Sequence, residues 1–300
     1  MDISVIIVNY NVKEYIISCI ESINKHTDDK YKFEIIVIDN NSKDGSCDEV
    51  EKTFNKIKII KNKYNFGYSF AVNQGARIAK GNYMLILNPD TLFIEDSLSK
   101  LISEAKTLDK LGAIGPKLVC GDGKFIQSFW KKPTLLSTML GLFHLDFLNR
   151  QKNYKSKVFS NVSRVETLSG GAMFMERTLF NNLNGLNENL FWMEDIDLCV
   201  RLEEKGYHVF YLPSTSIIHF MGKSSKKNYE VAISNQILSK IKYFNIHHKP
   251  FALSIIYFSA LIAILMKIIL FLFFSIFSKS ARIKLSAYYF TLVKILKVKY

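Results

Sequence analysis

Ile3-Ser4-Val5-Ile6-Ile7-Val8-Asn9 and Phe33-Glu34-Ile35-Ile36-Val37-Ile38-Asp39 are two apolar runs, each closed by a polar residue. β-Branched side chains dominate both and polar positions hardly alternate. That is the pattern of strands buried on both faces, hence of a parallel sheet. Between them Val12, Tyr15, Ile16, Cys19, Ile20 and Ile23 fall at helical spacing. Working outward, Lys58 to Lys61 predicts a third short strand, Phe70 to Ala79 a helix, and Tyr83 to Leu87 another strand. The alternation predicts an α/β fold: an open, mostly parallel sheet with helices on both faces. Ligands of such sheets gather at the carboxyl ends of the strands. Asn9, Asp39 and Asn88-Pro89-Asp90 fall there.

Further along, Leu98, Leu101, Ile102, Ala105 and Leu108 mark an amphipathic helix. Gly121 to Val165 reads as a variable loop region with short helices, and acceptor contacts are expected in it. Leu168 to Met175 is a glycine-broken strand. Glu194 to Lys205 reads as a helix stopped by Gly206. His208 to Leu212 and Ser216 to Phe220 read as strands, and Asn228 to Ile246 as a helix. After Pro250 the composition shifts. Phe251 to Phe277 is long and apolar enough to span a bilayer. Lys267 near its middle is costly for an isolated span, so insertion in the membrane plane stands beside it. A buried helix pair in a soluble protein is the plain alternative. Lys279, Arg282, Lys284, Lys294, Lys297 and Lys299 then form a basic, aromatic-interleaved tail suited to an anionic membrane face.

The formal charge of +13 on 300 residues points to phosphate-bearing partners, whether nucleotide, nucleic acid or lipid headgroup. Cys19, Cys47, Cys120 and Cys199 are scattered without a CxxC pair. That fits a reducing compartment and argues against zinc or a disulfide framework. Met1-Asp2 is not a basic leader, which predicts an amino-terminal domain on the cytosolic side.

Three acidic clusters can carry chemistry: Asp39 with Asp44, Asn88-Pro89-Asp90, and Glu194-Asp195 with Asp197. Asp and Asn also follow strands simply as turn formers and helix caps. A metal-bound diphosphate needs a hard oxygen ligand, which Asp90 can supply, and a neutral imidazole such as His219 can add a second. The basic loop Met221-Gly222-Lys223-Ser224-Ser225 suits phosphate. Asp195, beside Phe191-Trp192-Met193, is the candidate general base, because apolar neighbours raise a carboxyl pKa. Glu194, Asp195 and Asp197 equally suit the positive end of a helix. Gly170-Gly171 lets backbone approach a substrate, or marks a strand bulge. A GxxxxGK[ST] loop, a GxGxxG turn, a GxSxG elbow and an HExxH helix are all absent. No nucleic-acid motif accompanies the positive charge.

These residues, in this order, resemble family 2 glycosyltransferases. Val5-Ile6-Ile7-Val8-Asn9-Tyr10-Asn11, then Val37-Ile38-Asp39-Asn40-Asn41-Ser42 with Asp44-Gly45-Ser46, are similar to the family's start. Asn65-Phe66-Gly67-Tyr68 with Asn73-Gln74-Gly75, and Leu87-Asn88-Pro89-Asp90-Thr91 as a variant DxD motif, follow. Ser169-Gly170-Gly171-Ala172, Glu194-Asp195-Ile196-Asp197-Leu198, and His219 with Gly222 and Ser224 complete the series. The subgroup it resembles is the bacterial rhamnosyltransferase-like enzymes of surface polysaccharide assembly.

The resemblance implies a GT-A fold, an inverting mechanism and a divalent metal, Mg2+ or Mn2+. By position it makes Asp39 a nucleobase ligand with Val8 and Tyr10 lining the pocket. Asn65, Gly67, Asn73, Asn88, Gly170, Gly171 and Glu194 become substrate-binding residues. Asp90 and His219 become metal ligands, and Asp195 the general base. The first DxD position is Asn88, so one carboxylate remains there, and the QxxRW motif of processive members is absent. One sugar per acceptor encounter is therefore expected. The expected layout is a catalytic domain over 1–227, a connecting helix over 228–250, and a membrane-associated helix with a basic tail over 251–300. The expected activity is transfer from a nucleotide-diphosphate sugar, such as dTDP-rhamnose, to a lipid-linked or saccharide acceptor. The expected location is the cytoplasmic side of the inner membrane, held through 251–277, with no nucleic-acid partner. A sugar-nucleotide-forming nucleotidyltransferase and a non-catalytic basic binding module are the alternatives.

Overall fold

The computed structural model describes residues 1–148, 159–220 and 229–297. The loop 221–225, expected to meet phosphate, lies outside them, as does part of the variable region. The chain forms two compact units. One comprises Met1–Lys132, Ser156–Glu188 and Glu194–Ser224; the other comprises Pro133–Lys155, Asn189–Met193 and Ser225–Tyr300.

The first unit opens with β1 (Ile3–Asn9), α1 (Lys13–His26), β2 (Phe33–Asp39), α2 (Ser46–Thr53), β3 (Lys58–Lys61), α3 (Tyr68–Ile78) and β4 (Tyr83–Leu87). Next come β5 (Thr91–Phe93), α4 (Ser97–Ala105), β6 (Leu111–Val119), β7 (Phe125–Ile126) and β8 (Phe129–Trp130). α5 (Leu135–Leu142) belongs to the second unit. The first unit resumes with β9 (Ser163–Val165), β10 (Thr167–Leu168), β11 (Ala172–Glu176), α6 (Arg177–Asn182), α7 (Glu194–Glu204) and β12 (His208–His219).

The main sheet runs β3-β2-β1-β4-β11-β6-β12-β5. β3, β2, β1 and β4 are parallel. Every residue of β1 is buried, as its unbroken apolar run requires. β11 is antiparallel to β4 and β6, and β12 returns parallel to β6. The strand order reverses at β1, with β2 on one side and β4 on the other. That places a crevice at their carboxyl ends, where Asn9, Asp39 and Asn88 to Asp90 emerge.

Several elements differ from the sequence expectation, and β7, β8 and β9 lie inside the expected loop region. β6 had no apolar run to announce it. The two expected strands 208–212 and 216–220 are one strand, β12. Leu212 pairs with Pro116 and Ser216 with Lys117, so residues 213–215 are extra on the β12 side. They are pinned: Thr215 Oγ1 donates to Ser97 Oγ at 2.8 Å and Ser216 N donates to Glu95 Oε1 at 2.6 Å. The stretch after residue 278 is also a helix rather than a tail.

In the second unit α8 (Tyr229–His247), α9 (Pro250–Ser275) and α10 (Lys279–Lys297) pack together, and α5 packs on α9. Ile256, Ser259, Ala260, Ala263 and Ile264 are the buried residues of α9. Their spacing is one helical stripe, and Lys267 extends it. Lys267 Nζ donates to the Leu142 carbonyl at 2.9 Å and sits 5.1 Å from the centre of the Tyr288 ring. α9 is long and apolar enough to cross a membrane by length and composition.

Candidate active site

At the carboxyl end of β1, Asn9 is fully buried and opposite Asp39 in register. Its Nδ2 donates to Asp39 Oδ1 at 2.7 Å and to Ser46 Oγ at 2.6 Å. Asp39 Oδ2 accepts from Ser42 N at 2.9 Å. Asn9 at the end of β1 and the turn after β2 thus orient the Asp39 carboxylate from both sides. Val8 is buried one position before Asn9, and Tyr10 is exposed one position after it. Asn65 Oδ1 accepts from Gly67 N at 3.0 Å, and the Gly67 carbonyl accepts from Asn40 Nδ2 at 3.1 Å. Those contacts tie the start of α3 to the same strand end.

Asn88-Pro89-Asp90 is the turn between β4 and β5. β5 pairs antiparallel with the end of β12, setting His219 opposite Thr91. This pairing of strands far apart in sequence brings His219 Nε2 to 3.2 Å from Asp90 Oδ1. Asn88 Nδ2 lies 3.4 Å from the same ring nitrogen. His219 and Asp90 are both buried, and His219 Nδ1 has no hydrogen-bond partner among the described residues. Gly171 makes room for the ring: a Cβ there would lie 3.1 Å from His219 Cε1 and 3.3 Å from Nδ1. A carboxylate oxygen and an imidazole nitrogen converging beside an amide fit a divalent cation that takes its other ligands from phosphate and water. No group of three or more His, Cys, Asp or Glu that could hold a metal occurs among the described residues.

Gly170 joins this pair to the second set of carboxylates. Its N–H donates to Asp195 Oδ2 at 2.9 Å, and its carbonyl accepts from Tyr68 Oη at 3.1 Å. Ile196 N donates to Asp195 Oδ1 at 2.8 Å. Burial pushes the Asp195 carboxyl above the ordinary aspartate range, against these two N–H donors. Glu194 Oε2 is buried without a partner among the described residues. Burial, then the neighbouring Asp195 charge, pushes the Glu194 carboxyl well above its ordinary range. Asp195 has N–H donors for its charge and Glu194 Oε2 has none, so Glu194 holds a proton in preference to Asp195. Tyr68, only a motif letter in the sequence, lies in the middle of the site. Burial and the charges of Glu194, Asp195 and Asp90 raise its phenol pKa.

Two expected participants make structural hydrogen bonds or ion pairs. Asn73 Nδ2 donates to the Leu186 carbonyl and to Glu188 Oε1, each at 2.9 Å. Its Oδ1 accepts from Leu186 N at 2.8 Å, so the whole amide is spent holding the turn after α6. Asp197 is fully buried and paired with Arg201 at 2.7 Å. Arg201 also donates to the Leu183 and Gly185 carbonyls. Cys19 and Cys199 are buried thiols, pushed up to about 12 by desolvation, and so poor nucleophiles.

The chain is similar to known glycosyltransferases. The Escherichia coli rhamnosyltransferase WbbL is 27% identical over 249 residues, 80% of this chain and 91% of that protein. The N-acetylglucosaminyl-diphospho-decaprenol L-rhamnosyltransferase of Mycobacterium tuberculosis is 25% identical over 210 residues, 65% of this chain and 68% of that protein. A mannosyltransferase from Pyrobaculum calidifontis, solved with GDP-Man and Mn2+, superposes with a TM-score of 0.59 at 16% identity, covering 99% of this chain and 88% of that one. The fold is GT-A. Residues 150–223 match the pattern described as the N-terminal domain of galactosyltransferase. Residues 4–181 match that of glycosyl transferase family 2, and with more than half of its length so matched the chain belongs to that family of glycosyltransferases.

Proposed function

We propose that this glycosyltransferase inverts configuration, depends on a divalent metal and moves one sugar per encounter from a nucleotide-diphosphate donor. The observation that carries the reading is the position of Gly170-Gly171. One glycine binds the Asp195 carboxylate, and the next packs against the imidazole beside Asp90. In this reading the base and the diphosphate site flank one short segment, so that a sugar carbon between them is attacked on the face opposite the leaving diphosphate, as an inverting single displacement requires.

In this reading Asp39, Val8 and Tyr10 hold the nucleobase. Asn65 and Gly67 shape the adjoining wall, and Asn88 and Gly171 adjoin the diphosphate site. Asp90 and His219 would hold Mg2+ or Mn2+, which would supply positive charge to stabilise the leaving diphosphate. Asp195 takes the proton from the acceptor hydroxyl as the sugar carbon is attacked. Gly170 orients Asp195, and Glu194, as a neutral acid, donates a hydrogen bond to substrate. Both rhamnosyltransferase names support a rhamnosyl donor, and one of them a lipid-linked diphosphosugar acceptor; in this reading the donor is dTDP-rhamnose and the chain works on the cytoplasmic membrane face. Asp195→Asn is expected to bind donor normally and lose transfer by about 10²-fold or more, as removal of a general base does. Asp90→Ala and chelation are expected to lose both transfer and metal-dependent donor binding. Donor-binding titration beside a transfer assay separates the cases, and an active Asp195→Asn enzyme removes Asp195 as base.

A further inference from the structure

The second unit carries an apolar face far larger than a soluble surface holds. Along α9, Phe258, Ile262, Leu265, Met266, Ile269 and Phe273 are all exposed, Ile269 by 70%. With Phe251 and Phe277 at its ends, the face extends over roughly 40 Å of helix. Continuous apolar surface on that scale marks an interaction site. The charge around it is one-sided. Ten of the forty Lys and Arg follow Glu230, and none of the 27 Asp and Glu does, so this segment carries +10 of the formal +13. Lys249 precedes the apolar face, and Lys279 and Arg282 follow it, all exposed.

Two features decide how such a helix meets a bilayer. Lys267 is on the inward stripe, bound to the Leu142 carbonyl and Tyr288, so it is no obstacle to burying the outward face in lipid. The inward stripe is covered by α8, α10 and α5, and these helices cannot cross with it. α8 carries Glu230, Lys240 and Lys242. The longest charge-free stretch of α10 is Leu285 to Val293, less than half of the roughly 20 residues a span needs. Phe271 stacks on Tyr288 with the rings 4° from parallel, and Lys284 lies 5.4 Å from the centre of the Phe271 ring. α9 and α10 are therefore one hairpin with a charged helix along it.

Resting on the membrane association proposed above, we infer that α9 lies in the plane of the bilayer interface. Its 258–262–265–269–273 face sits among acyl chains, and Lys249, Lys279 and Arg282 lie among anionic headgroups. Both ends of α9 stay on one side of the membrane. The full-length chain tests this in sealed membrane vesicles, using an impermeant maleimide on Ser280→Cys and, in the first unit, Asp29→Cys. Reagent on one side is expected to label both positions together; labelling from opposite sides means α9 spans and overturns the inference. The purified chain is expected to float with phosphatidylcholine vesicles containing phosphatidylglycerol. Lys279→Gln with Arg282→Gln should lower that partition on the order of twentyfold. Equal partition into vesicles of phosphatidylcholine alone removes the headgroup contacts. A chain that floats with neither vesicle, and pairs with a second copy in detergent-free buffer, ends the membrane reading itself.

Discussion

Glu194 and Asp195 are consecutive carboxyls in one recess, and their difference lies in two N–H groups. Gly170 and Ile196 supply Asp195, while Glu194 Oε2 has no partner among the described residues. A carboxyl whose pKa is raised by folding leaves the native state holding a proton that the unfolded chain has lost. Its ionisation costs stability as pH rises from the unfolded glutamate value, about 4.3, through the folded one. Glu194→Gln removes that cost. The variant should match the parent in urea melts below about pH 4 and exceed it increasingly toward neutrality. The gap should widen by about 1.4 kcal/mol for each pH step of one until the folded carboxyl ionises. A pH-independent difference would show that Glu194 is ionised throughout. Gly171→Ala is the second residue-scale prediction. The new methyl group would press on His219 at 3.1 Å, so metal-dependent donor binding should weaken about tenfold or more with little change in melting. Unchanged donor affinity would show that the imidazole has slack.

At the scale of elements, α7 is anchored by one ion pair. Asp197 is fully buried, and Arg201 ties it to the turn at Leu183 and Gly185. Arg201→Ala would take the guanidinium from a fully buried carboxylate and should cost about 3–5 kcal/mol in denaturant unfolding. A loss under about 1 kcal/mol would mean that water replaces the guanidinium. Elements with unbroken apolar runs were legible in the sequence: β1, β2 and β4, with α1 between them. β6 was not, because tight packing demands residues that mimic a loop. A Cβ on Gly112 would lie 3.0 Å from the His208 carbonyl, and one on Gly115 2.8 Å from Leu168 Cδ2. α10 was missed because its inward positions, Ala281, Ala287, Tyr288, Thr291 and Ile295, are mostly small or polar. In the site, Asp90, His219 and Asp195 were legible as strand-end or helix-start residues. Tyr68 and the real tasks of Asn73 and Asp197 were not, since only tertiary packing shows where an amide or a carboxylate spends its bonds.

For the whole molecule, the two units have separate reporters. Trp130 belongs to the first and Trp192 to the second. In single-tryptophan variants, the correct sugar nucleotide with Mn2+ should stabilise the transition seen by Trp130. At a hundredfold excess over its dissociation constant the gain is about 2.7 kcal/mol. A screen of nucleotide sugars read this way would identify the donor, and a screen without any metal-dependent stabilisation would count against the donor site.

Residues 213–215 hold a consequence for reading genomes. Side chains on a strand alternate faces, so the three extra residues in β12 fix which face His219 presents. Deleting one would turn the imidazole from Asp90 while leaving every site residue in the sequence intact. A relative with such a deletion would pass a motif search as an enzyme and fail as one. In this chain the spacing upstream of His219 is as informative as the histidine.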